Sequence, residues 1–379
     1  MKPFLVVGTE SDDPFAIDVG RFLGQRDDIS DVISLKNFAN GEFCPRFIGE
    51  GGHRPGYGLA GRHVVVVSTA SAWLSRDALA MRTLLVARSA KDNGAERVIL
   101  VEPDLFYSAQ DRGARPDQGR TDFPRDERDF SKFDGQPFSA RLYAQALALA
   151  GVDRVMTVHN HSASVGAEFD EALDGGYENL SPAPVFAQYL RSSDVIETGD
   201  NGRSVVICAP DEGAAGFAEE VRSALGLPDA GLLQLAKVRT DERRVTSTVA
   251  EESPCGMDDV AGRDVLIVDD MVRTGGTILE CCRRIREGNP RRVVFAVTHF
   301  YSSDECRENL FKPFLDEIVT TNSVPTILNR DMQGRLRRKM VVLKLESWIA
   351  SVLEGSRKAP PTCAFDMSTK HPRWRGSLE

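Results

Sequence analysis

The 379-residue chain has no C-x₂-C pair, and its seven cysteines (positions 44, 208, 255, 281, 282, 306 and 363) are odd in number and scattered. That pattern excludes a disulfide framework or a cysteine zinc module and suits a reducing cytosol. A basic excess is also missing: 47 Lys and Arg stand against 56 Asp and Glu, giving a formal net charge of −9. Non-specific grip on nucleic acid needs the opposite balance, so nucleic acid is not an expected partner. No apolar run approaches the ~20 residues that cross a bilayer. The opening MKPFLVVGTESDD reaches acidic residues too soon for a signal peptide. These absences point to a soluble, cytoplasmic protein with no membrane partner. A Walker-type G-x₄-G-K-[ST] is absent, which excludes a P-loop kinase. The one G-x-G-x-x-G, Gly56–Gly61, precedes a strand-like run instead of following one, and so lacks dinucleotide-binding context.

What is present is an α/β rhythm. Short Val/Ile/Leu runs at Val64–Ser68, Arg97–Glu102, Arg154–Val158, Val205–Ala209, Val265–Val268 and Arg292–Thr298 read as buried strands. Between them Ala78–Asn93, Ala140–Ala150, Ala214–Leu225 and Thr277–Glu287 show helical spacing. Such alternation predicts mainly parallel sheets flanked by helices. The length exceeds one comfortable core, and two units fit it, residues 1–165 and 166–345, followed by a C-terminal helix and tail over 346–379. Polar, charged Gly113–Gln136 reads as an exposed, mobile loop, and the tail as docked through Trp374.

The most informative segment is VLIVDDMVRTGGTILECCRRI. Val265–Val268 is a strand with Asp269 and Asp270 at its carboxyl end. Thr274-Gly275-Gly276-Thr277 turns, and Ile278 begins a helix. Ligands of open parallel sheets bind at strand carboxyl ends. Glycines admit close approach of an anion, which the helix N-terminus attracts. Each such contact contributes only about 0.3–1 kcal/mol when exposed, so several must converge. The acid pair accepts hydrogen bonds from vicinal hydroxyls, and the combination suits a phosphorylated sugar. An isolated Asp pair would merely cap a turn, but this ordered set is more specific. It resembles the ribose-phosphate signature of type I phosphoribosyltransferases and phosphoribosyl pyrophosphate (PRPP) synthetases.

Over about Phe4 to Leu353 the motif order is similar to the PRPP synthetase family. Phe38-Ala39-Asn40-Gly41-Glu42 resembles its adenine-contacting element, which acts across a subunit boundary, and Tyr107–Arg112, with Gln110, Asp111 and Arg112, resembles its ATP element. Gly151–His161 resembles its strand ending in Asp-Leu-His, and Pro210-Asp211-Glu212-Gly213 matches its Pro-Asp-x-Gly turn. Lys237-Val238-Arg239 falls at its catalytic loop, and Thr298-His299 and Thr321–Pro325 match two late strands. The resemblance implies two tandem phosphoribosyltransferase-like domains and Mg²⁺-dependent transfer of the diphosphoryl group of ATP to O1 of ribose 5-phosphate. Lys237 and Arg239 are then the catalytic cations. Phe38, Asn40, Glu42, Gln110, Asp111, Arg112 and His161 bind ATP. Asp269, Asp270, Arg273, Thr274, Gly275, Gly276 and Thr277 bind the ribose phosphate. His161, Asp211 and His159 are the expected magnesium-site residues, and a homo-oligomer (dimer or hexamer) is the expected assembly. Judged alone, Lys237 and Arg239 read equally as a solvated charged face, and His161 as a structural histidine.

Four departures stand out. His159 replaces the family's Asp two residues before His161; strand alternation would turn both the same way. Arg273 stands where the family has Asp, which points to an acceptor with more negative charge, such as ADP-ribose. Gly113 replaces a Lys after Arg112, and the stretch 113–136 is longer than the family loop by roughly 15 residues by comparison of the two lengths. A PRPP-consuming phosphoribosyltransferase and a catalytically inactive regulatory subunit are the competing readings. AMP release from ATP separates them from a synthetase.

Overall fold

Runs of β-branched residues set the two sheets. In the computed structural model, which describes residues 4–48, 54–121, 123–160, 162–241, 244–356, 364–368 and 374–375, the chain divides into two units. One comprises Met1–Leu180 with Ile349–Ser356, the other Ser181–Trp348 with Arg357–Glu379.

The first unit contains β1 (Phe4–Gly8), β2 (Ile33–Asn37), β3 (Phe43–Phe47), β4 (His63–Val67), β5 (Arg97–Val101), β6 (Arg154–Val158) and β7 (Tyr177–Leu180). β1-β4-β5-β6-β7 form a wholly parallel sheet, while β2 and β3 make a separate antiparallel hairpin. Val64–Val67 and Val98–Val101 are buried throughout, as expected where helices cover both faces. Helix Arg76–Asp92 starts where Ser75 Oγ accepts a hydrogen bond from Ala78 N at 3.1 Å. Helix Ser139–Ala150 stops at Gly151, whose φ of 90° suits a residue without Cβ. The unit ends fifteen residues later than the expected boundary at 165/166. Helix Ala163–Ala172 and β7 complete the first sheet, and the short polar strand YENL carries no apolar run to announce it.

The second unit holds β8 (Val205–Ala209), β9 (Gly231–Asp241), β10 (Arg244–Val249), β11 (Asp264–Val272), β12 (Arg292–Phe300), β13 (Glu317–Thr321), β14 (Met340–Leu343), β15 (Ala364–Asp366) and β16 (Trp374–Arg375). Their order is β10-β9-β8-β11-β12-β13-β14-β15-β16, with β9 through β14 parallel. Ile267, Phe295 and Val297 lie in its core with Ile278, Cys281 and Ile285 from helix Gly276–Glu287, the i, i+3, i+7 stripe of an amphipathic helix. From Glu346 onward the described residues form a helix, Glu346–Leu353, and two short strands, β15 antiparallel to β14 and β16 antiparallel to β15 with Trp374 opposite Phe365.

Two expectations about loops change. Lys237 and Arg239 lie on a strand backbone: β9 pairs with β10, Lys237 opposite Ser247 and Arg239 opposite Val245. Residues 113–136 are not one open loop, because they contain helix Glu127–Lys132 and a buried ion cluster.

Candidate active site

In the second unit, β11 runs to Val272, so Asp269 and Asp270 belong to the strand and do not follow it. β8 pairs with β11 only as far as Cys208 opposite Ile267, which leaves Asp269 on β11 and Asp211, two residues after β8 ends, both beyond the paired stretch. Burial holds the Asp269 carboxyl well above its ordinary range, and the nearby Asp270 and Asp211 carboxylates add to the effect. Met271 N donates to Asp270 Oδ1 at 2.8 Å and Asp270 N to Asp269 Oδ1 at 3.0 Å. Three acids are therefore gathered at one sheet edge.

The turn after β11 opens a helix. Gly275, with φ 73°, caps helix Gly276–Glu287, and a Cβ there would lie 3.2 Å from Leu310 Cγ. Thr274, Gly276 and Thr277 are exposed around it, and Asn309 Nδ2 secures the Thr274 carbonyl at 2.9 Å. Arg273 is exposed; its carbonyl accepts from Ser303 Oγ at 2.8 Å, while its guanidinium, 5.9 Å from the Tyr301 ring, has no hydrogen-bond or carboxylate partner among the described residues. β9, parallel to β8, passes its last pairing (Ala209 opposite Gln234), so the Lys237 and Arg239 backbone lies past the β8 terminus near which Asp211 sits.

In the first unit, Phe38–Glu42 forms the tip of the β2–β3 hairpin. Glu42 N donates to Asn40 Oδ1 at 3.2 Å, and Phe38 is 46 % exposed, a large ring left in solvent. Arg82 anchors the hairpin, donating to Thr9 O and Asn37 Oδ1 and stacking on Phe43 at 4.4 Å. Sequence reasoning missed Arg82, since its three partners lie far away in the chain.

Tyr107, with φ 60°, turns the chain into Gln110-Asp111-Arg112. Gln110 Oε1 accepts from Ser139 Oγ at 2.6 Å. Asp111 accepts from Ser162 Oγ at 2.7 Å and, at its carbonyl, from Ser164 Oγ at 2.8 Å. The 110–112 element and the loop after β6 are thus tied together. No hydrogen bond or ion pair joins either to the hairpin tip among the described residues. His161 lies outside the described residues. His159 has φ 50°, a left-handed turn after β6, so the strand alternation expected to align it with His161 does not operate. Thr298-His299 and Thr321–Pro325 are structural: Thr321 and Ser323 hydroxyls bond the buried Thr298 carbonyl, and His299 Nδ1 meets Ser323 Oγ at 2.9 Å.

Behind the 107–112 element Glu102 is fully buried, accepting from Phe106 N at 2.9 Å and Tyr143 Oη at 3.0 Å. Burial raises its pKa from 4.5 to about 8, against those two bonds and the nearby Arg76. A carboxyl raised on folding contributes stability below its unfolded pKa and loses it as pH rises through the folded one. Urea midpoints should therefore fall as pH rises from about 4.5 to about 8 and level off above that, by at most about tenfold in the folding constant per pH unit. Glu102→Gln should flatten that slope; an unchanged slope refutes the assignment.

The family model for the phosphoribosyl transferase domain matches residues 190–325. A ribose-phosphate pyrophosphokinase of Methanopyrus kandleri is 30 % identical over 262 residues, 69 % of this chain and 76 % of that one. The chain belongs to the ribose-phosphate pyrophosphokinase family. A family member from Corynebacterium efficiens is 29 % identical over 293 residues, 77 % of each chain. Among solved structures, the phosphoribosylpyrophosphate synthetase of Mycobacterium smegmatis matches with a TM-score of 0.70 at 23 % identity, over 94 % of this chain and 100 % of that one, a likeness of fold. Two phosphoribosyltransferase-like α/β units are the family architecture in this chain. Among the described residues no helix is long and apolar enough to cross a membrane.

Proposed function

We propose that the chain catalyses ATP-dependent synthesis of PRPP: O1 of ribose 5-phosphate attacks the β-phosphorus of ATP, the bond from that phosphorus to the α–β bridging oxygen breaks, and AMP leaves with that oxygen. The proton of O1 passes to solvent. The observation that carries this reading is the β11 acid pair with Asp211 beside it and the Thr274–Thr277 turn after it, in a chain of this family.

Each unit supplies its own part of the chemistry. Thr274, Gly275, Gly276 and Thr277 hold the 5-phosphate with backbone N–H groups and hydroxyls, and Asp269 and Asp270 orient the ribose hydroxyls. Arg273 adds a cation beside the phosphate. Lys237 and Arg239 stabilise charge on the β-phosphoryl group. Gln110, Asp111 and Arg112 serve the nucleotide, and the exposed Phe38, Asn40 and Glu42 stack and bond adenine, with a second copy of the chain completing that contact. His161 belongs to the same set by resemblance.

The donor chemistry fits magnesium. Mg²⁺ takes oxygen ligands, commonly one or two carboxylates plus substrate phosphates. Asp211, beside two acids whose mutual repulsion a cation relieves, meets that need; the imidazole of His159 is the poorer donor. Among the described residues no three His, Cys, Asp or Glu side chains form a ready-made cage. A magnesium ion held there would supply neutralisation of phosphate charge and polarisation of the β-phosphorus. The free cysteines accord with a reducing, cytoplasmic setting.

The deciding experiment is phosphorus NMR of products from ATP, Mg²⁺ and either ribose 5-phosphate or ADP-ribose. We expect AMP and a 1-pyrophosphorylated ribose 5-phosphate in equal amounts. AMP release with ADP-ribose alone would move the acceptor to the larger sugar; no AMP with either would leave the regulatory-subunit reading. Sedimentation with and without ATP measures the assembly, for which a dimer or hexamer is expected.

A further inference from the structure

The stretch 113–136 carries more built structure than a connection needs. Arg125, its side chain 7 % exposed, donates to the carbonyls of Gly113 at 2.6 Å, Gln118 at 2.8 Å and Arg115 at 3.3 Å, and to Asp129 Oδ2 at 2.6 Å. One guanidinium thus closes the segment on itself. Asp129 is 5 % exposed, and its second oxygen accepts from Arg112 NH1 at 3.1 Å. Burial opposes its charge, but Arg125 and Arg112 outweigh that and hold its carboxyl below the ordinary range. Phe133 lies under both guanidinium groups, 4.9 Å from Arg112 and 5.8 Å from Arg125.

Arg112 is therefore held on several sides. Its Nε is taken by Asp111 Oδ1 at 3.2 Å and its NH1 by Asp129, while no described group takes NH2. Five N–H donors leave one edge of the fork available. Gly113 belongs to the same joint: a Cβ there would stand 2.3 Å from Gln118 Oε1, so the segment occupies the room a side chain would need.

We propose that residues 113–136 form a clamp in which Asp129 is a positioning residue, fixing Arg112 so that its remaining N–H edge meets the triphosphate of ATP. This rests on the reading of Arg112 as a nucleotide-binding residue. An arginine loses rotamer entropy when it grips a ligand, and one already held by two carboxylates and an aromatic face has lost it on folding. Misplacement by about 1 Å costs up to roughly 100-fold.

The test is Asp129→Asn, isosteric but uncharged, with steady-state kinetics over ATP and over ribose 5-phosphate. We expect KM for ATP to rise roughly 10- to 100-fold by that positional argument, with KM for the sugar within about threefold. Asp129→Glu should recover part of the loss. Arg112→Ala alone and combined with Asp129→Asn should give the same KM for ATP, because the second change acts only through the first. If Arg112→Ala leaves KM for ATP unchanged, the nucleotide role of Arg112 fails. If Arg112→Ala raises it while Asp129→Asn, folded by circular dichroism, does not, the clamp is refuted. Should Asp129→Asn not fold, Gly113→Ala, which pushes Gln118 off without touching the charges, must raise KM for ATP; wild-type behaviour there refutes the clamp equally.

Discussion

Asp270→Asn is expected to lower kcat/KM for ribose 5-phosphate by about 10²–10⁴-fold while the protein folds normally. The magnitude follows from two sugar hydroxyls losing charged acceptors, each bond contributing about 1.5–3 kcal/mol, at 1.36 kcal/mol per decade. The amide keeps the shape, and its oxygen still accepts the 2.8 Å bond from Met271 N, so the backbone stays in place. Asp269→Asn gives a second, opposite signal. Burial and the Asp270 and Asp211 carboxylates raise the folded pKa of Asp269. Its contribution is therefore present only at low pH and is lost as pH rises through the folded value. Removing the charge should cut activity yet raise stability at pH 7 and above. An Asp269→Asn protein both less active and less stable at pH 8 would argue that the acid is structural. An Asp270→Asn enzyme within threefold of wild type would remove the acid pair from the sugar site.

Why this half-site was readable while other parts were not is a matter of range. β11, the acids, the turn and the helix are consecutive, so each part is specified by neighbours: β-branched residues for the strand, Gly275 at φ 73° for the cap, a 3.6-residue apolar stripe for the helix. β9 is different. Lys237 to Asp241 is mostly charged or polar and reads as a loop, but β9, paired with β8 at its start and with β10 further on, carries it as strand, a tertiary override of local preference. Residues 113–136 misled for the same reason. Their composition signals disorder, whereas the Arg112–Asp129 pair spans 17 positions and becomes visible only when folded. His159 shows a third failure, because the period-2 rule holds inside a strand and β6 ends at Val158. The boundary moved for lack of a signal: β7 is a four-residue polar edge strand whose place in the sheet comes from pairing with β6.

Lys237→Ala combined with Arg239→Ala should reduce kcat by about 10³–10⁵-fold, the range that a cation on a transferring phosphoryl group commands. Diphosphoryl transfer needs little covalent help, so most of its acceleration comes from position and charge, and removing the charge removes the largest contribution. The backbone argument favours these two residues: β9 is parallel to β8, their last paired residues are Gln234 and Ala209, and Lys237 follows three residues further on. The hairpin should survive the change, because Leu233 and Leu235, at 0 % and 1 % exposure, anchor β9 in the core upstream of the substituted positions. Each single substitution should lose nearly as much as the pair if both cations act on one phosphoryl group, since groups that work as a unit are not additive. KM for ribose 5-phosphate should stay within a few-fold, because the contacts proposed for the sugar lie on β11 and the turn after it. Single-turnover measurement of AMP formation isolates the chemical step from product release. Turnover near wild type in a double variant with an unchanged melting temperature would strip Lys237 and Arg239 of any catalytic part.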